Sequence, residues 1–142
     1  MSKIWFRDFT LETLTSMGKY TMLDHIGIEF TEIGDDFLRG RMPVDHRTHQ
    51  PHHILHGGAS VVLAETLSSC GAQYCIDWTK YRCVGLEINA NHIRSISSGY
   101  VTGTARPYHI GRRTQVWETR LEDDQQKLTC ISRITIAVLE RT

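Results

Sequence analysis

The sequence predicts a single α+β domain in which an antiparallel sheet curls around one long buried helix. Residues 56–76 have apolar or small side chains on most faces, which is typical of a buried helix. Three or four strand-like segments follow, and turn residues separate them. Because no repeat, low-complexity tract or linker divides the 142 residues, we expect one domain over 1–142.

Local signals place the remaining elements. Thr10 is a candidate N-cap for a short helix that ends at Gly18. Alternation over 26–33 and 37–44, around a Gly-Asp-Asp turn, predicts a β-hairpin. A polar loop over 45–55 precedes the long helix. The later strands are expected at 82–94, 100–109, 113–122 and 127–139, with Val84, Leu86, Ile88 and Ala90 on one face of the first and Glu87, Asn89 and Asn91 on the other.

Charge and composition limit the class of protein. Lys plus Arg and Asp plus Glu are 16 each, so a general electrostatic role on nucleic acid or an anionic membrane is disfavoured. A net charge of zero also lowers the barrier to self-association. The N-terminal residues form no apolar signal core, and the four cysteines lack Cys-x-x-Cys spacing. We therefore expect reduced, mostly buried thiols and a cytoplasmic location.

Glu65 is the first candidate functional residue, because it interrupts the most apolar helix of the chain. Glutamate is rarely fully buried unless it is paired or functional. An unpaired carboxylate there would have a raised pKa and would suit a base or a nucleophile. An ion pair or a partly exposed helix face explains it equally well. Ser69, one turn later on the same face, could hold a water molecule near the carboxylate or simply pack.

Gly57, in the run His56-Gly57-Gly58-Ala59 that opens the helix, is the second candidate. Free N–H groups at a helix start favour an oxyanion, although a turn that needs glycine for its geometry is the simpler explanation. Gly57 and Glu65 are separated by about 12 Å along the helix and about 80° around it. Two antiparallel copies related by a two-fold axis could bring them to one carbonyl, so joint action requires a dimer interface.

Histidines and basic residues are the remaining candidates for ligand binding. The histidines are crowded near the start of the helix, but no metal-ligand spacing accompanies them, so we expect no metal site. Basic residues recur beside strands, where solvation explains them as well as a phosphate-bearing ligand over the sheet does. The two sets are His46, His49, His52, His53 and His56, and His92, Arg94, Arg106, Arg112 and Arg113.

A resemblance to a known family rests on four motifs. The chain is similar to the hotdog-fold acyl-CoA thioesterases, and more narrowly to the 4-hydroxybenzoyl-CoA thioesterase branch that uses a helix-borne glutamate. Within that branch it most resembles the bacterial 1,4-dihydroxy-2-naphthoyl-CoA thioesterases and the enterobactin proofreading thioesterases, over nearly the whole chain. The motifs are Gln50-Pro51, Leu55-His56-Gly57-Gly58-Ala59-Ser60, Leu63-Ala64-Glu65 and Gly85-Leu86-Glu87-Ile88-Asn89-Ala90-Asn91-His92.

The resemblance implies a thioester hydrolase for an aromatic or otherwise bulky acyl-CoA, with 1,4-dihydroxy-2-naphthoyl-CoA as one candidate. It implies that Glu65 is the nucleophile or general base and that the Gly57 N–H polarises the carbonyl. Gln50 and His56 would position the thioester, and Ser69 would orient water. It also implies active sites between subunits, commonly in a tetramer, and no cofactor, since CoA is part of the substrate. The residues implied to bind CoA are His92, Arg94, Ser95, His109, Ile110, Gly111 and Arg112.

One departure and four alternatives leave the substrate and the activity open. Relatives usually have Phe-Gly after Gln-Pro, whereas this chain has His52-His53, which would make the acyl site more polar. A medium-chain or general acyl-CoA thioesterase is the alternative within the same chemistry. A non-catalytic acyl-CoA-binding module has no need of a carboxylate at Glu65. A hotdog dehydratase and a metal-binding protein built on the histidine loop are less favoured.

Overall fold

The computed structural model describes residues 2–142 of the chain. In that part of the chain the helices are α1 (Leu11–Gly18), α2 (Met22–His25) and α3 (Gly57–Tyr74). The strands are β1 (Glu29–Ile33), β2 (Leu38–Pro43), β3 (Tyr81–His92), β4 (Tyr100–Ile110), β5 (Thr114–Glu122) and β6 (Leu128–Glu140). All six strands form one antiparallel sheet in the order β1-β2-β4-β5-β6-β3. The α+β architecture predicted from the sequence is confirmed.

α3 lies against β2 to β6, and only its sheet-facing side is fully closed. Leu63, Leu67 and Ala72 have no exposed surface, whereas Glu65 and Ser69 on the other side are half-buried. The apolar pattern predicts a helix that is buried all round, and the single chain buries one side of it. An apolar helix face that one chain leaves half-covered is what a second subunit could cover.

The C-terminal end of α3 is held by the rest of the chain. The last carbonyl groups of a helix have no partner inside it. Here the Phe6 N–H donates to the Tyr74 carbonyl oxygen (2.8 Å), and Gln115 Nε2 donates to the Ala72 carbonyl oxygen (3.3 Å). Gln115 Oε1 accepts from Trp117 Nε1 at 2.8 Å, so this fully buried amide is paired at both ends.

Aromatic side chains complete the packing at that end. The Phe9 ring stacks on Tyr74 with centroids 3.9 Å apart, and Trp5 stacks on Trp117 at 6.5 Å. The Trp5 indole N–H donates to the Gly34 carbonyl oxygen at 2.7 Å, so its polar atom is satisfied as well. The N-terminal segment therefore closes the sheet around the end of the helix.

The short elements agree with the prediction, with one addition. The hydroxyl of Thr10 accepts from the Thr13 N–H at 3.1 Å and caps α1, which ends at Gly18 as predicted. α2 is not predicted from the sequence, because four residues are too few to show helical periodicity. The hairpin is present, although β1 is shorter than the alternating segment and begins only at residue 29. β4, β5 and β6 begin and end within one residue of their predicted bounds.

β3 departs from the prediction because of a bulge. The register of its pairing with β6 shifts at Leu86, which has no partner in that ladder. One extra residue moves the following side chains to the opposite face. Val84 and Leu86 are 38% and 63% exposed, whereas Ile88 and Ala90 pack against the core. The prediction that all four share one face is therefore wrong for Val84 and Leu86.

The cysteines are free thiols, as predicted. Cys130 is buried, and Cys70, Cys75 and Cys83 are half-buried. Burial raises the pKa of Cys70 to about 11, of Cys75 to about 12 and of Cys83 to about 11. Because the thiolate is the reactive form, these thiols are protonated and poorly nucleophilic at neutral pH. None of the helices in residues 2–142 has the length and apolar character needed to span a bilayer.

Candidate active site

The N-terminal end of α3 leaves one backbone donor open. The first four N–H groups of a helix have no partner inside it. His56 satisfies three of them. Its Nδ1 accepts from the Gly58 N–H at 2.8 Å, and its carbonyl oxygen accepts from Ala59 at 3.0 Å and Ser60 at 3.3 Å. Within residues 2–142 no protein atom accepts a hydrogen bond from the remaining donor, the Gly57 N–H.

That open donor lines a cleft of about 310 Å³, formed by the start of α3, the loop before it and the segment that ends β3. Four other residues predicted to act on the substrate share the cleft with Gly57, namely Gln50, His92, Arg94 and Ser95. The structure thus brings together the predicted oxyanion donor, the predicted thioester-positioning amide and three of the seven predicted CoA-binding residues.

The cleft is suited to an anionic or carbonyl-bearing ligand. His92 lies directly against Gly57, since a Cβ atom built on that glycine would be 2.9 Å from His92 Nε2. Arg94 forms no ion pair with any residue from 2 to 142. The positive end of the α3 dipole adds to the charge of that guanidinium. A phosphate or a polarised carbonyl oxygen would be stabilised there.

The loop before α3 orients the amide of Gln50. Its Oε1 accepts from the His52 N–H, which identifies that atom as the oxygen. The backbone holds the same turn closed, with the Gln50 N–H donating to the Ile54 carbonyl oxygen at 2.9 Å. The Nε2 group is therefore the end of the side chain that is free to donate to a substrate oxygen.

The two histidines that distinguish this loop lie at its exposed tip. His53 has a φ of 60°, in the left-handed region that favours glycine. Its ring centroid is 6.1 Å from that of His49, whose Nε2 lies 2.9 Å from the Ser97 carbonyl oxygen. Nowhere in the described chain do three or more His, Cys, Asp or Glu side chains form a group that could hold a metal ion.

The Glu65 carboxylate is half-buried and has no partner inside the chain. Neither an ion pair nor a side-chain hydrogen bond joins it to another residue of 2–142. The ion-pair explanation therefore fails for the single chain, and a partly exposed helix face is what the structure contains. Its Oε1 lies over β3, 3.0 Å from the position of a Cβ atom on Gly85. Ser69, also half-buried, follows one turn later.

Glu65 and Gly57 do not meet within one chain. α3 is a single α-helix from residue 57 to residue 74, so both lie on the same rigid element. Eight residues correspond to about 12 Å of rise. One chain therefore places the open N–H and the unpaired carboxylate too far apart to contact the same carbonyl group.

The predicted CoA-binding residues fall into two groups. Residues 109–112 lie at the end of β4 and in the turn to β5, away from the cleft that contains His92. Across the strand ladder, His109 is level with Thr135 of β6, whereas His92 pairs with Cys130. Five residues of strand correspond to about 17 Å. A single chain therefore does not bring the two groups together.

Two residues of the site are not among the candidates predicted from the sequence. Ser60 lines the cleft beside Gly57. Its position three residues after Gly57 on the helix was the available signal, because residues at that spacing share a helix face. Gly85 lies beside the Glu65 carboxylate, and a glycine inside a strand is a general sign of close approach.

Comparisons with known proteins identify relatives of the whole chain. The family model described as "Thioesterase superfamily" matches residues 52–130. The chain is 49% identical to the 1,4-dihydroxy-2-naphthoyl-CoA hydrolase of Escherichia coli, over 96% of this chain and 98% of that protein. It is 48% identical to the proofreading thioesterase EntH of Cronobacter turicensis, over 96% of this chain and 98% of that one. A crystal structure of a mutant thioesterase from Pseudomonas aeruginosa superimposes with a TM-score of 0.96 at 48% identity, covering 98% of this chain and 100% of that one.

Proposed function

The chain belongs to the thioesterase superfamily and hydrolyses acyl-CoA thioesters, and on that premise we propose that its substrate carries an aromatic or otherwise bulky acyl group. The products are the free acid and CoA. The first candidate is 1,4-dihydroxy-2-naphthoyl-CoA, since a relative named for that substrate is 49% identical over 136 residues. We propose Glu65 as the residue that attacks the thioester or activates water, without any cofactor.

The observation that carries the mechanism is the unpaired, half-buried carboxylate of Glu65 on α3. A thioester is an activated acyl group, so one carboxylate and one oxyanion donor suffice for its hydrolysis. As a nucleophile, the carboxylate would form an acyl anhydride and expel CoA, and water would then cleave the anhydride. As a general base, it would take a proton from water that attacks the carbonyl carbon directly.

The start of α3 supplies the complementary electrophilic contacts. We propose that the Gly57 N–H donates to the thioester carbonyl oxygen, where negative charge develops during the attack. Because Gln50 Oε1 is engaged by His52, its Nε2 group is available for the same substrate. His56 uses Nδ1 as an acceptor, so the neutral ring carries its proton on Nε2 and can donate from there. Ser69 would orient the hydrolytic water.

A dimer through the free edge of β3 is the second part of the proposal. β3 is twelve residues long and lies at one edge of the sheet, with Val84 and Leu86 exposed along it. A long edge strand with exposed apolar residues is a template for pairing with another chain. An antiparallel pairing with a second copy would bring Glu65 of one subunit toward Gly57 of its partner. Such dimers could associate further into a tetramer.

The same pairing would also unite the two groups of predicted CoA-binding residues. Tyr81, at the start of β3, borders a depression with Arg112 and Arg113 of the β4–β5 turn. In a two-fold antiparallel pair, the Tyr81 end of each strand lies beside the His92 end of its partner. The turn of one subunit would then approach the cleft of the other, which is the arrangement needed for CoA to bridge them.

We also place the enzyme in the cytoplasm as part of this proposal. Four free thiols with no disulfide between them are typical of a reducing compartment.

Release of free thiol from a panel of aryl- and alkyl-CoA thioesters tests the proposal, with wild type and Glu65→Gln compared side by side. We expect wild type to favour an aromatic or bulky ester and Glu65→Gln to lose at least about a hundredfold in kcat. His52 and His53 would make the acyl site more polar, so the panel includes hydroxylated and carboxylated aryl esters. Equal activity of the two proteins would refute the role of Glu65, and a preference for medium-chain esters would refute the acyl class.

Subunit mixing tests the shared site. Proline is tolerated at the first helical position, so Gly57→Pro removes the N–H with little cost to α3. His56 has ψ 129°, an extended conformation that a following proline accepts. Gly57→Ala is the matched control, because it adds a Cβ atom but keeps the N–H. Heterodimers of Glu65→Gln and Gly57→Pro should regain activity that neither parent has, and no recovery despite subunit exchange would refute the interface site.

A further inference from the structure

We propose that Gly85 is a positioning residue for the Glu65 carboxylate. Because Gly85 has no side chain, it leaves a notch in β3 where the carboxylate lies, and any side chain at this position would fill that notch. This inference rests on the proposed function, because it assumes that Glu65 acts on the thioester or on water. Gly85 touches no reacting atom in this scheme and acts only through Glu65.

The carboxylate lies where a side chain on the strand would begin. A Cβ atom built on Gly85 would lie 3.0 Å from Glu65 Oε1 and 3.7 Å from Ile134 Cδ1. The first distance is shorter than an ordinary non-bonded contact of about 3.5 Å. The carboxylate oxygen therefore occupies space that a side chain at position 85 would need.

The notch is a local feature of β3. Its neighbours Cys83 and Ile88 pack against the core, and Gly85 interrupts that row of inward side chains immediately before the bulge at Leu86. Glycine in a strand interior weakens the strand, and it is commonly found where another group approaches the backbone closely. Bulges are also common beside active sites, where they redirect side chains. Here the group that approaches is the proposed catalytic carboxylate.

An added methyl group should displace the carboxylate rather than the backbone. β3 is paired to β6 along nearly its whole length, and α3 is packed against five strands. The Glu65 side chain, in contrast, rotates about three bonds and has no hydrogen-bond or ion-pair partner within residues 2–142. The Gly85→Ala variant should therefore fold, while the carboxylate moves by a few tenths of an ångström. Misplacement of a reacting group by about 1 Å can cost a hundredfold in rate.

A double-mutant cycle between positions 85 and 65 tests this role. In the wild-type background, Gly85→Ala should lower kcat about tenfold and leave KM within about twofold. Glu65→Asp shortens the side chain by one methylene and withdraws the carboxylate from β3. In that background Gly85→Ala should lower kcat by less than about twofold, because the contact no longer exists. Equal losses in both backgrounds, or a loss carried by KM, would overturn the inference.

Gly103→Ala is the matched control. Gly103 lies on β4 beneath the same helix, and a Cβ atom there would be 2.8 Å from Leu67 Cδ1, with side chains of the core rather than Glu65 as its nearest neighbours. This variant should lower the free energy of unfolding and leave kcat per folded molecule unchanged. A loss of kcat as large as that of Gly85→Ala would mean that general strain, rather than the Glu65 contact, controls the rate.

Further variants cover the remaining outcomes. If Glu65→Asp has no measurable turnover, Gly85→Val replaces the cycle: its larger side chain should lower kcat about tenfold below Gly85→Ala at an unchanged free energy of unfolding. Equal rates for the alanine and valine variants would refute the notch. If Glu65→Gln is inactive and Gly85→Ala is fully active, only the positioning role fails. Full activity of Glu65→Gln would refute the proposed function and this inference together.

Discussion

The two ends of α3 face the same physical problem and solve it differently. Each end of a helix leaves backbone groups without partners inside it. At the C-terminal end, Gln115 and the backbone of Phe6 satisfy the exposed carbonyl oxygens, and aromatic rings close around them. At the N-terminal end, His56 satisfies three donors and the Gly57 N–H stays open beside a cleft. One end has its polar groups paired within the chain, and the other keeps one backbone donor without an acceptor in residues 2–142.

The side chains at the two ends follow that division. The closed end contains Trp117 and Gln115, both fully buried, whose polar atoms bond to each other. The open end contains two glycines, which contribute little packing but allow close approach to the backbone. Substitutions at the closed end should therefore change the free energy of unfolding, and substitutions at the open end should change turnover.

The largest expected effect on stability is that of Trp117→Ala at the closed end. Removing a fully buried aromatic side chain leaves a cavity and unpairs Gln115 Oε1, so we expect a loss of about 3–5 kcal/mol in the free energy of unfolding. Urea unfolding at fixed chain concentration measures it. Tyr20→Ala is the control, because Tyr20 is 97% exposed and should change stability by less than about 0.5 kcal/mol. Similar values for both variants would contradict the packing role of Trp117.

Gln115→Leu separates the polar part of the closed end from its packing. The variant leaves Trp117 Nε1 without its acceptor and removes one of the two donors to the Ala72 carbonyl oxygen, which keeps the Cys75 N–H, so we expect a loss of about 2 kcal/mol. Gln115 forms its hydrogen bonds at the closed end of α3 and does not line the cleft, so kcat per folded molecule should not change. Denaturant titration and thiol-release assays on the same preparation test both statements. A fall in kcat without a fall in stability would contradict the assignment of stability to the closed end and of turnover to the open end.

His56 is the residue at the open end that should affect both properties. Its Nδ1 caps α3, so His56→Ala should cost about 1 kcal/mol. Asparagine is a good N-cap, so His56→Asn should recover most of that free energy. It should not recover kcat, because the amide does not reproduce the Nε2 donor of the imidazole. Full recovery of kcat in His56→Asn would mean that His56 acts only as a cap.

The smallest expected effect concerns Cys75, the C-cap residue of α3. Burial raises the pKa of its thiol to about 12, above the ordinary value of 9.0, so the neutral thiol is favoured in the folded state. Its contribution to stability is therefore complete below pH 9.0 and declines as pH rises toward 12. The stability difference between wild type and Cys75→Ala should narrow or reverse between pH 8 and about pH 11. A stability difference between the two proteins that does not change with pH would contradict the raised pKa of this thiol.

Much of the fold follows from local patterns. Turn residues and alternation indicate the strands, and the apolar run indicates α3, because these signals depend on residues close together in the chain. Glu65 and Gly57 stand out for the same reason, as a charge on an apolar helix and as glycine at a helix start. The bulge at Leu86 escapes this reasoning, since it is defined by pairing with β6, which lies about fifty residues later.

The sequence by itself determined the class of fold, the order of the elements and the residues that could perform the chemistry. Only the tertiary structure decided which of them meet. It joined Gln50 and His92 at the open Gly57 N–H, separated that donor from Glu65, and placed Gly85 under the carboxylate. The physical reason is that residue type and spacing act over one helical turn or one strand, whereas a cleft depends on how distant segments pack. A site distributed over a helix, a loop and two strands therefore has no single local signal.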